Sequence, residues 1–569
     1  MTTLNFILGL SLLFYTSISN ARSNDNREAQ FLSEVANQNK TDDTRVPFLN
    51  EVSDGLSFKD ISPACDPKLF EDQVLSKKNS TADYYHLIRN YFSNCGGELS
   101  LRSWKGSVAS LLKSALWDYS FFQNPQVTEF TIKLPNGTQV PAFMAMKQDS
   151  RPRPLVVVKC GVFCSIAESP SLKEYLMSLF DQSPFNVVVL ANQTGLDHIS
   201  LNHLVSMGGW SEGLEVMAVG KWLKEEWMYK DRISSIHLMG ISLGGNAAVF
   251  GAAYNDMYPQ TDGSKVYNSV LGICPVVSLR PTLDSLYNSP IIGDIFAKDT
   301  RDQFTAARGD VTDIPDLLTD KKIPQSKFEM ADFVGLITST SLQRRGVASV
   351  TPATFFKNNN FWNLKQKVTT PFMVWASKDD IIVNNKLNGQ VLENDDYYQN
   401  SPTVTAVNLP YGSHCGFAAA YGVLSTSVVL KTFVLTHSPE FTDYNAKTQM
   451  PWTFGFRKMF NAEEHVGQIW KFTANSNQVK VQFRIFNYSK SSTCTDEGPW
   501  AGDDNCISTY EYTLPMSSLT SMGARMTKNS VEAAALSREF NAKVEFKTKD
   551  LKPLNGTNTT DFVMVWRSL

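Results

Sequence analysis

The stretch SIHLMGISLGGNAAVF, residues 235–250, decides how the rest of the chain is read. Its first six residues form a compact apolar run suited to a buried strand, and the alanine-containing end suits a helix. Between them, Gly240-Ile241-Ser242-Leu243-Gly244 reads G-x-S-x-G. Small residues on both sides of the serine permit a tight strand-to-helix turn that exposes its oxygen above a sheet. The helix N-terminus that follows offers favourable backbone dipoles. Gly245 leaves additional room beside the turn. The pentapeptide alone is moderately specific, but strand, turn and helix together make Ser242 a candidate nucleophile.

Outward from this point, short β-branched runs alternate with longer helical or irregular segments. PLVVVKC (154–160), FNVVVLAN (185–192), SVLGICPVV (269–277), PFMVWAS (371–377) and TVTAVNLP (403–410) have the apolar character of strands covered on both faces. Their wide spacing leaves room for crossover helices, so a mostly parallel α/β sheet is expected. VTEFTIKLPNGTQVPAFMAMK (127–147) reads as a hairpin turning at Asn136-Gly137. Residues 281–365 are too long for a simple crossover and predict a mainly helical cap, either shaping an apolar entrance or packing without a substrate role. Upstream, DYYHLIRNYF (83–92) and VASLLKSALWDYSFF (108–122) look helical and suited to covering the next domain. After 465, IWKFTANSNQVKVQFRIFNYS, FNAKVEFKTKD and FVMVWRSL suggest strands and VEAAALSREF (531–540) a shorter helix. The expected organisation is a leader at 1–21, a helical extension at 22–125, a catalytic domain at 126–440 and a small C-terminal β or α+β domain at 465–569. That last domain fits a binding module and a structural cover equally.

A serine hydroxyl is a weak nucleophile until an imidazole accepts its proton and a carboxylate orients the imidazole. Both groups follow downstream. Lys378-Asp379-Asp380-Ile381-Ile382-Val383 comes after one strand, and Tyr411-Gly412-Ser413-His414-Cys415-Gly416-Phe417 after the next. Asp380 is the preferred acid because it precedes the apolar run at the strand end, with Asp379 as the alternative. His414, bordered by glycines, is the candidate base. Donors for an oxyanion are expected from the amides of Leu243 and Val162, with Phe163 as the alternative second donor and Gly161 permitting a close turn. The alternative role for that loop is a buried β-to-helix connection.

With these residues in place, the chain resembles the α/β-hydrolase superfamily, and within it the exported or membrane-associated esterases and lipases with a G-x-S-L-G-G-N turn. The resemblance covers about 127–435 and is strongest at GISLGGN, KDDIIV and GSHCGF. It implies a triad of Ser242, Asp380 and His414. Two departures stand out: Cys160-Gly161 where such enzymes often begin the oxyanion loop with His-Gly, and Asn192-Gln193-Thr194-Gly195 where related members often carry Arg before Gly. The implied function is a serine esterase acting through an acyl-serine, with no cofactor or metal, on a small-molecule or lipid-like ester. A serine peptidase and a catalytically silent hydrolase-like binding protein are the alternatives.

Composition agrees with a folded, core-forming protein: 569 residues, 42% hydrophobic, 19% charged, net charge −3. The near-neutral balance and the lack of a long basic block argue against nucleic-acid binding. FILGLSLLFY (6–15) followed by TSISNA, ending at Ala21, reads as a signal core and processing site, although MTTLN lacks a positive charge and an uncleaved anchor is the alternative. Export to a periplasmic or extracellular location follows, and peripheral membrane or cell-surface association is compatible with it. The eight cysteines fit an oxidising compartment. Cys65/Cys95 and Cys494/Cys506 are candidate bridges, whereas Cys160 and Cys164 fit a local bridge, free thiols or other pairings. The seven histidines form no zinc signature, and the His198/His203 pair reads as loop or core chemistry. Nothing in the sequence constrains the oligomeric state.

Overall fold

In the computed structural model, residues 62–438 are described apart from 66, 77–80, 100–126, 147–151, 165–171, 173–174, 177–178, 181–182, 345, 348–349, 365–367, 396–400 and 422; beyond 438 only strands are described. The expected leader at 1–21, the helix at 108–122, the FNAKVEFKTKD strand, the helix at 531–540 and the Cys494/Cys506 pair lie outside the described residues.

Among the described residues, eight strands make the central sheet: β1 (Val127–Lys133), β2 (Gln139–Ala145), β3 (Arg153–Lys159), β4 (Asn186–Leu190), β5 (Ile233–Ile241), β6 (Ser269–Ile273), β7 (Phe372–Ser377) and β8 (Val404–Leu409). They lie side by side in the order β1-β2-β4-β3-β5-β6-β7-β8. The β1–β2 hairpin turns at Asn136-Gly137, where Gly137 adopts φ 86°, and β2 runs antiparallel to β4. From β4 through β3 to β8 every pairing is parallel. The run 269–277 is strand only as far as Ile273, because Cys274 takes a left-handed φ of 43° and Pro275 follows it, turning the chain out of the sheet.

Strands β3, β4, β6 and β7 are buried along their whole length, which explains their unbroken runs of valine and other apolar residues. Alternate side chains serve opposite faces. Leu155, Val157, Val188 and Leu238 pack with the helices Gly209–Glu225 and Leu243–Met257. Val156, Val158, Val187 and Met239 share the other core with the helices Pro67–Ser76, Thr81–Leu99 and Val423–Thr436. The N-terminal helices are therefore part of the sheet's covering layer. Tyr84 donates from its hydroxyl to the Val429 carbonyl at 3.2 Å, and Glu71 meets Lys431 in a fully buried ion pair at 2.6 Å. A Cys65–Cys95 disulfide ties the start of this segment to the end of its second helix.

Between β6 and β7 the chain forms the helices Leu279–Asn288, Ile292–Ala307, Met330–Arg344 and Pro352–Asn358. Their apolar sides build a third core that includes Leu243 and Val383, with Val162, Phe163 and Phe296 packed against it. The insertion thus reaches the turns at the C-terminal ends of β3, β5 and β7. Among the described residues beyond 453, six antiparallel strands form a separate sheet: β9 (Phe454–Phe460), β10 (Glu463–Ala474), β11 (Gln478–Phe486), β12 (Ile507–Pro515), β13 (Lys552–Pro553) and β14 (Arg567–Ser568), in the order β13-β12-β11-β10-β9-β14.

Candidate active site

Ser242 sits at the end of β5 with φ 58° and ψ −117°, a conformation that is costly for a residue with a side chain and that surrounding structure must hold in place. Two glycines make the turn feasible. A Cβ on Gly240 would collide with the Gly244 carbonyl, and one on Gly244 would collide with the backbone of Lys159 and Cys160. The Ser242 amide donates to the Ile273 carbonyl at 2.9 Å, pinning the turn to β6.

His414 Nε2 lies 2.9 Å from Ser242 Oγ, and His414 Nδ1 lies 2.9 Å from Asp380 Oδ2. The other carboxylate oxygen of Asp380 accepts the amides of Ile382 and Val383, each at 2.8 Å. With its carboxylate ionised, Asp380 can only accept, so Nδ1 carries the proton and Nε2 is free to accept from the serine. The Asp380 side chain is 3% exposed and that of His414 13% exposed, leaving the imidazole as the more accessible partner.

Asp379 points elsewhere. Its Oδ1 accepts the Ser413 amide at 2.9 Å and the Ser377 hydroxyl at 2.5 Å, and its buried Oδ2 has no hydrogen-bond partner among the described residues. Both aspartates therefore serve the histidine loop, one through the imidazole and the other through the backbone beside it. That loop is tightly wound, with Gly412 at φ 134°, Ser413 at 45° and Cys415 at 60°. A Cys274–Cys415 disulfide, which sequence reasoning missed, anchors the residue after His414 to the end of β6. Eight cysteines allow 105 pairings, so spacing alone carries no signal for it.

On the other side of the serine, an added Cβ on Gly161 would meet Ser242 Cβ at 3.2 Å. Cys160 and Cys164 are joined by a disulfide, closing the loop that contains Val162 and Phe163. The Phe163 amide donates to Thr194 Oγ1 at 2.7 Å and is spent there, which removes it as the alternative oxyanion donor. The Val162 amide has no acceptor among the described residues, and Leu243, as the first residue of its helix, has no intrahelical acceptor for its N–H.

His198 and His203 diverge: His198 Nε2 meets Glu215 Oε2 at 2.9 Å, whereas His203 Nδ1 meets the Asp310 carbonyl at 2.7 Å. Cys274, His414 and Cys415 form the one close group of potential metal ligands among the described residues, and both sulfurs are committed to the disulfide. A buried polar cluster around Lys159, Glu212 and Glu215 was also missed; its signal is a lysine ending the otherwise apolar run LVVVK.

Fold and side chains together define a class: an α/β-hydrolase-type sheet with serine, histidine and aspartate in hydrogen-bonded relay at its C-terminal edge. No protein-family model and no curated protein matches the chain. Among solved structures it is similar to an esterase from Pyrococcus furiosus, at 15% identity and a TM-score of 0.31 over 51% of this chain and 84% of that one. It is also similar to oligopeptidase B from Leishmania major, at 14% identity and a TM-score of 0.32 over 55% and 37% of the respective chains. A puromycin hydrolase gives 13% identity and a TM-score of 0.33 over 55% and 38%. At such distance, activity has to be argued from the side chains of this chain alone.

Proposed function

We propose that this protein is an exported serine hydrolase that cleaves a carboxylic ester, of a small molecule or a lipid-like compound, through an acyl-serine intermediate. The observation that carries the proposal is the unbroken relay from Ser242 Oγ to His414 Nε2, and from His414 Nδ1 to Asp380 Oδ2, with both contacts at 2.9 Å. His414 takes the hydroxyl proton as Ser242 attacks the acyl carbonyl, and the developing imidazolium is stabilised by Asp380. The tetrahedral oxyanion is received by the amides of Leu243 and Val162. Collapse returns the proton to the departing alcohol, and a water activated by His414 releases the acid and regenerates the serine.

An ester with an apolar portion is favoured by what surrounds the turn. Val162, Phe163, Leu243, Ile382 and Val383 all adjoin the core of the helical insertion, and Phe163 stacks on Phe296 at 5.8 Å between ring centroids. Export is supported by three disulfides among the described residues, since such bonds persist in oxidising compartments.

The test is labelling with a serine-directed phosphonate, followed by turnover of matched acyl esters and aminoacyl amides. Native protein should label at Ser242, Ser242→Ala should not, and esters should be turned over faster. Preferential amide cleavage would replace the esterase reading with a peptidase one. Folded native protein that neither labels nor turns over either substrate would leave a silent binding protein.

A further inference from the structure

We propose that Thr194 and Asn192 are positioning residues that clamp the loop Cys160–Phe163 at both ends, leaving the Val162 amide as the loop's free donor to the oxyanion. The inference rests on the hydrolase reading above and specifies how its second oxyanion donor is held.

Lys159, the last residue of β3, anchors the cluster. Its ammonium is fully buried, 2.6 Å from Glu215 Oε1, 3.7 Å from Glu212 Oε2 and 2.5 Å from the Ala191 carbonyl. The last contact locks the end of β4 to the end of β3, so Asn192 emerges directly beside the loop. Asn192 then uses its whole amide. Nδ2 donates to the Cys160 carbonyl at 3.2 Å and to Glu212 Oε2 at 2.9 Å, while Oδ1 accepts the Thr194 amide at 3.0 Å and the Thr194 hydroxyl at 2.6 Å. Because that hydroxyl proton is committed to Asn192, Thr194 Oγ1 presents a lone pair to the Phe163 amide at 2.7 Å. The Thr194 carbonyl is itself held by Gln303 Nε2 at 2.6 Å, from the helix Ile292–Ala307 of the insertion.

The loop is thus gripped at the Cys160 carbonyl and at the Phe163 amide, with Gly161 and Val162 between the two grips. Phe163 adopts φ 58°, a conformation that a bulky side chain leaves readily unless something holds it. Thr194 supplies a hold from outside the loop, beside the Cys164 amide's bond to the Gly161 carbonyl at 3.3 Å and the Cys160–Cys164 disulfide within it. If Phe163 relaxed, the peptide plane that joins it to Val162 would turn, and the Gly161–Val162 plane that carries the Val162 N–H, hinged to it at Val162 Cα, would lose its fixed orientation. Asn192 and Thr194 are buried, with 0% and 1% exposure, so they act through the loop.

The experiment compares Thr194→Val, Thr194→Ser and Asn192→Ala in the full chain. It measures kcat and KM on a chromogenic ester, per active site titrated with phosphonate, together with inhibition by a boronic acid that forms a tetrahedral anion on serine. Valine keeps the shape and removes the acceptor; serine restores it. Thr194→Val should lower kcat about 100-fold with KM within about threefold, and weaken the boronic acid by a comparable factor. Thr194→Ser should stay within about threefold of native on both measures, and Asn192→Ala should follow Thr194→Val. A purely structural role would reduce the titratable fraction or the melting temperature while leaving kcat per titrated site and boronate affinity unchanged, and that result would overturn the proposal. So would Thr194→Ser failing as badly as Thr194→Val. Should Thr194→Val not fold, Asn192→Ala and the serine variant carry the same comparison. Native protein that does not label at all would instead refute the hydrolase reading beneath it.

Discussion

Replacing each of the two adjacent aspartates by asparagine should give very different enzymes. In Asp380→Asn the amide has two orientations. Placing its oxygen toward His414 would turn the NH2 group toward the amides of Ile382 and Val383, which are both donors. The favoured orientation therefore keeps the oxygen on the backbone and presents NH2 to His414 Nδ1, which must then accept. The ring proton moves to Nε2, where it faces the serine hydroxyl and blocks proton transfer. A wrong-tautomer defect of this kind costs about 10⁴ in kcat, or about 5 kcal/mol of transition-state stabilisation. In Asp379→Asn, by contrast, the carbonyl can stay at the Oδ1 position and still accept from Ser413 and Ser377. What is lost is charge assistance, about 1 kcal/mol for each of two hydrogen bonds. Even if all of it fell on alignment of His414, kcat would drop only about 30-fold. Initial rates on a chromogenic ester, at concentrations of folded protein established by near-ultraviolet circular dichroism, should separate the two variants by a factor of at least about 100. Equal losses, or a larger loss in Asp379→Asn, would refute the assignment of the two carboxylates.

Three other outcomes follow from the site and its supports. The Cys274–Cys415 bridge spans 141 residues and holds the residue after His414; Cys274→Ala/Cys415→Ala should lose about 2–5 kcal/mol in denaturant unfolding and most of its activity, and a thiol reductant, which also opens Cys65–Cys95 and Cys160–Cys164, should cost the native protein at least as much. Gly161→Ala would put a methyl 3.2 Å from Ser242 Cβ and 3.7 Å from Oγ, so kcat should fall at least about tenfold while the free energy of unfolding shifts by less than about 1 kcal/mol. Burial, opposed by Lys159 and reinforced by the charge of Glu215, pushes the Glu212 carboxyl up to about 8. The folded state then holds a proton that the unfolded chain releases near its ordinary value of about 4.3, so this group makes stability fall as pH rises from there through about 8. Glu212→Gln should flatten that decline in melting temperature, and an unchanged slope would remove Glu212 as its source.

The fold was legible because its signals are local. Sixteen consecutive residues contain the end of β5, the serine turn and the start of a helix, and Asn136-Gly137 lies between two alternating runs that became β1 and β2. Choices between neighbours were not local in the same way. Val162 and Phe163 share a loop, and what separates them is a hydroxyl 31 residues downstream, at Thr194. Asp379 and Asp380 share a turn, and their roles part because the amides of Ile382 and Val383 seize one carboxylate and the Ser413 amide the other.

The same contrast explains why the site residues could be named at all, although they are spread from 161 to 414. Parallel strands end at one edge of a sheet, so a residue just past a strand's C-terminus is placed there by topology before any side-chain contact is known. With β5 between β3 and β6, and β7 and β8 beyond, the loop after β3 falls on one side of Ser242 and the loops after β7 and β8 on the other. The proposed donor Val162 and the His414–Asp380 pair are thereby kept on opposite flanks of Ser242, as the proposed reaction requires. Finding the strands therefore placed the candidate residues along one edge of the sheet. Hydrogen bonds across loops, which no periodicity reveals, then distinguish neighbours such as Asp379, on the Ser413 amide, from Asp380, on the His414 imidazole.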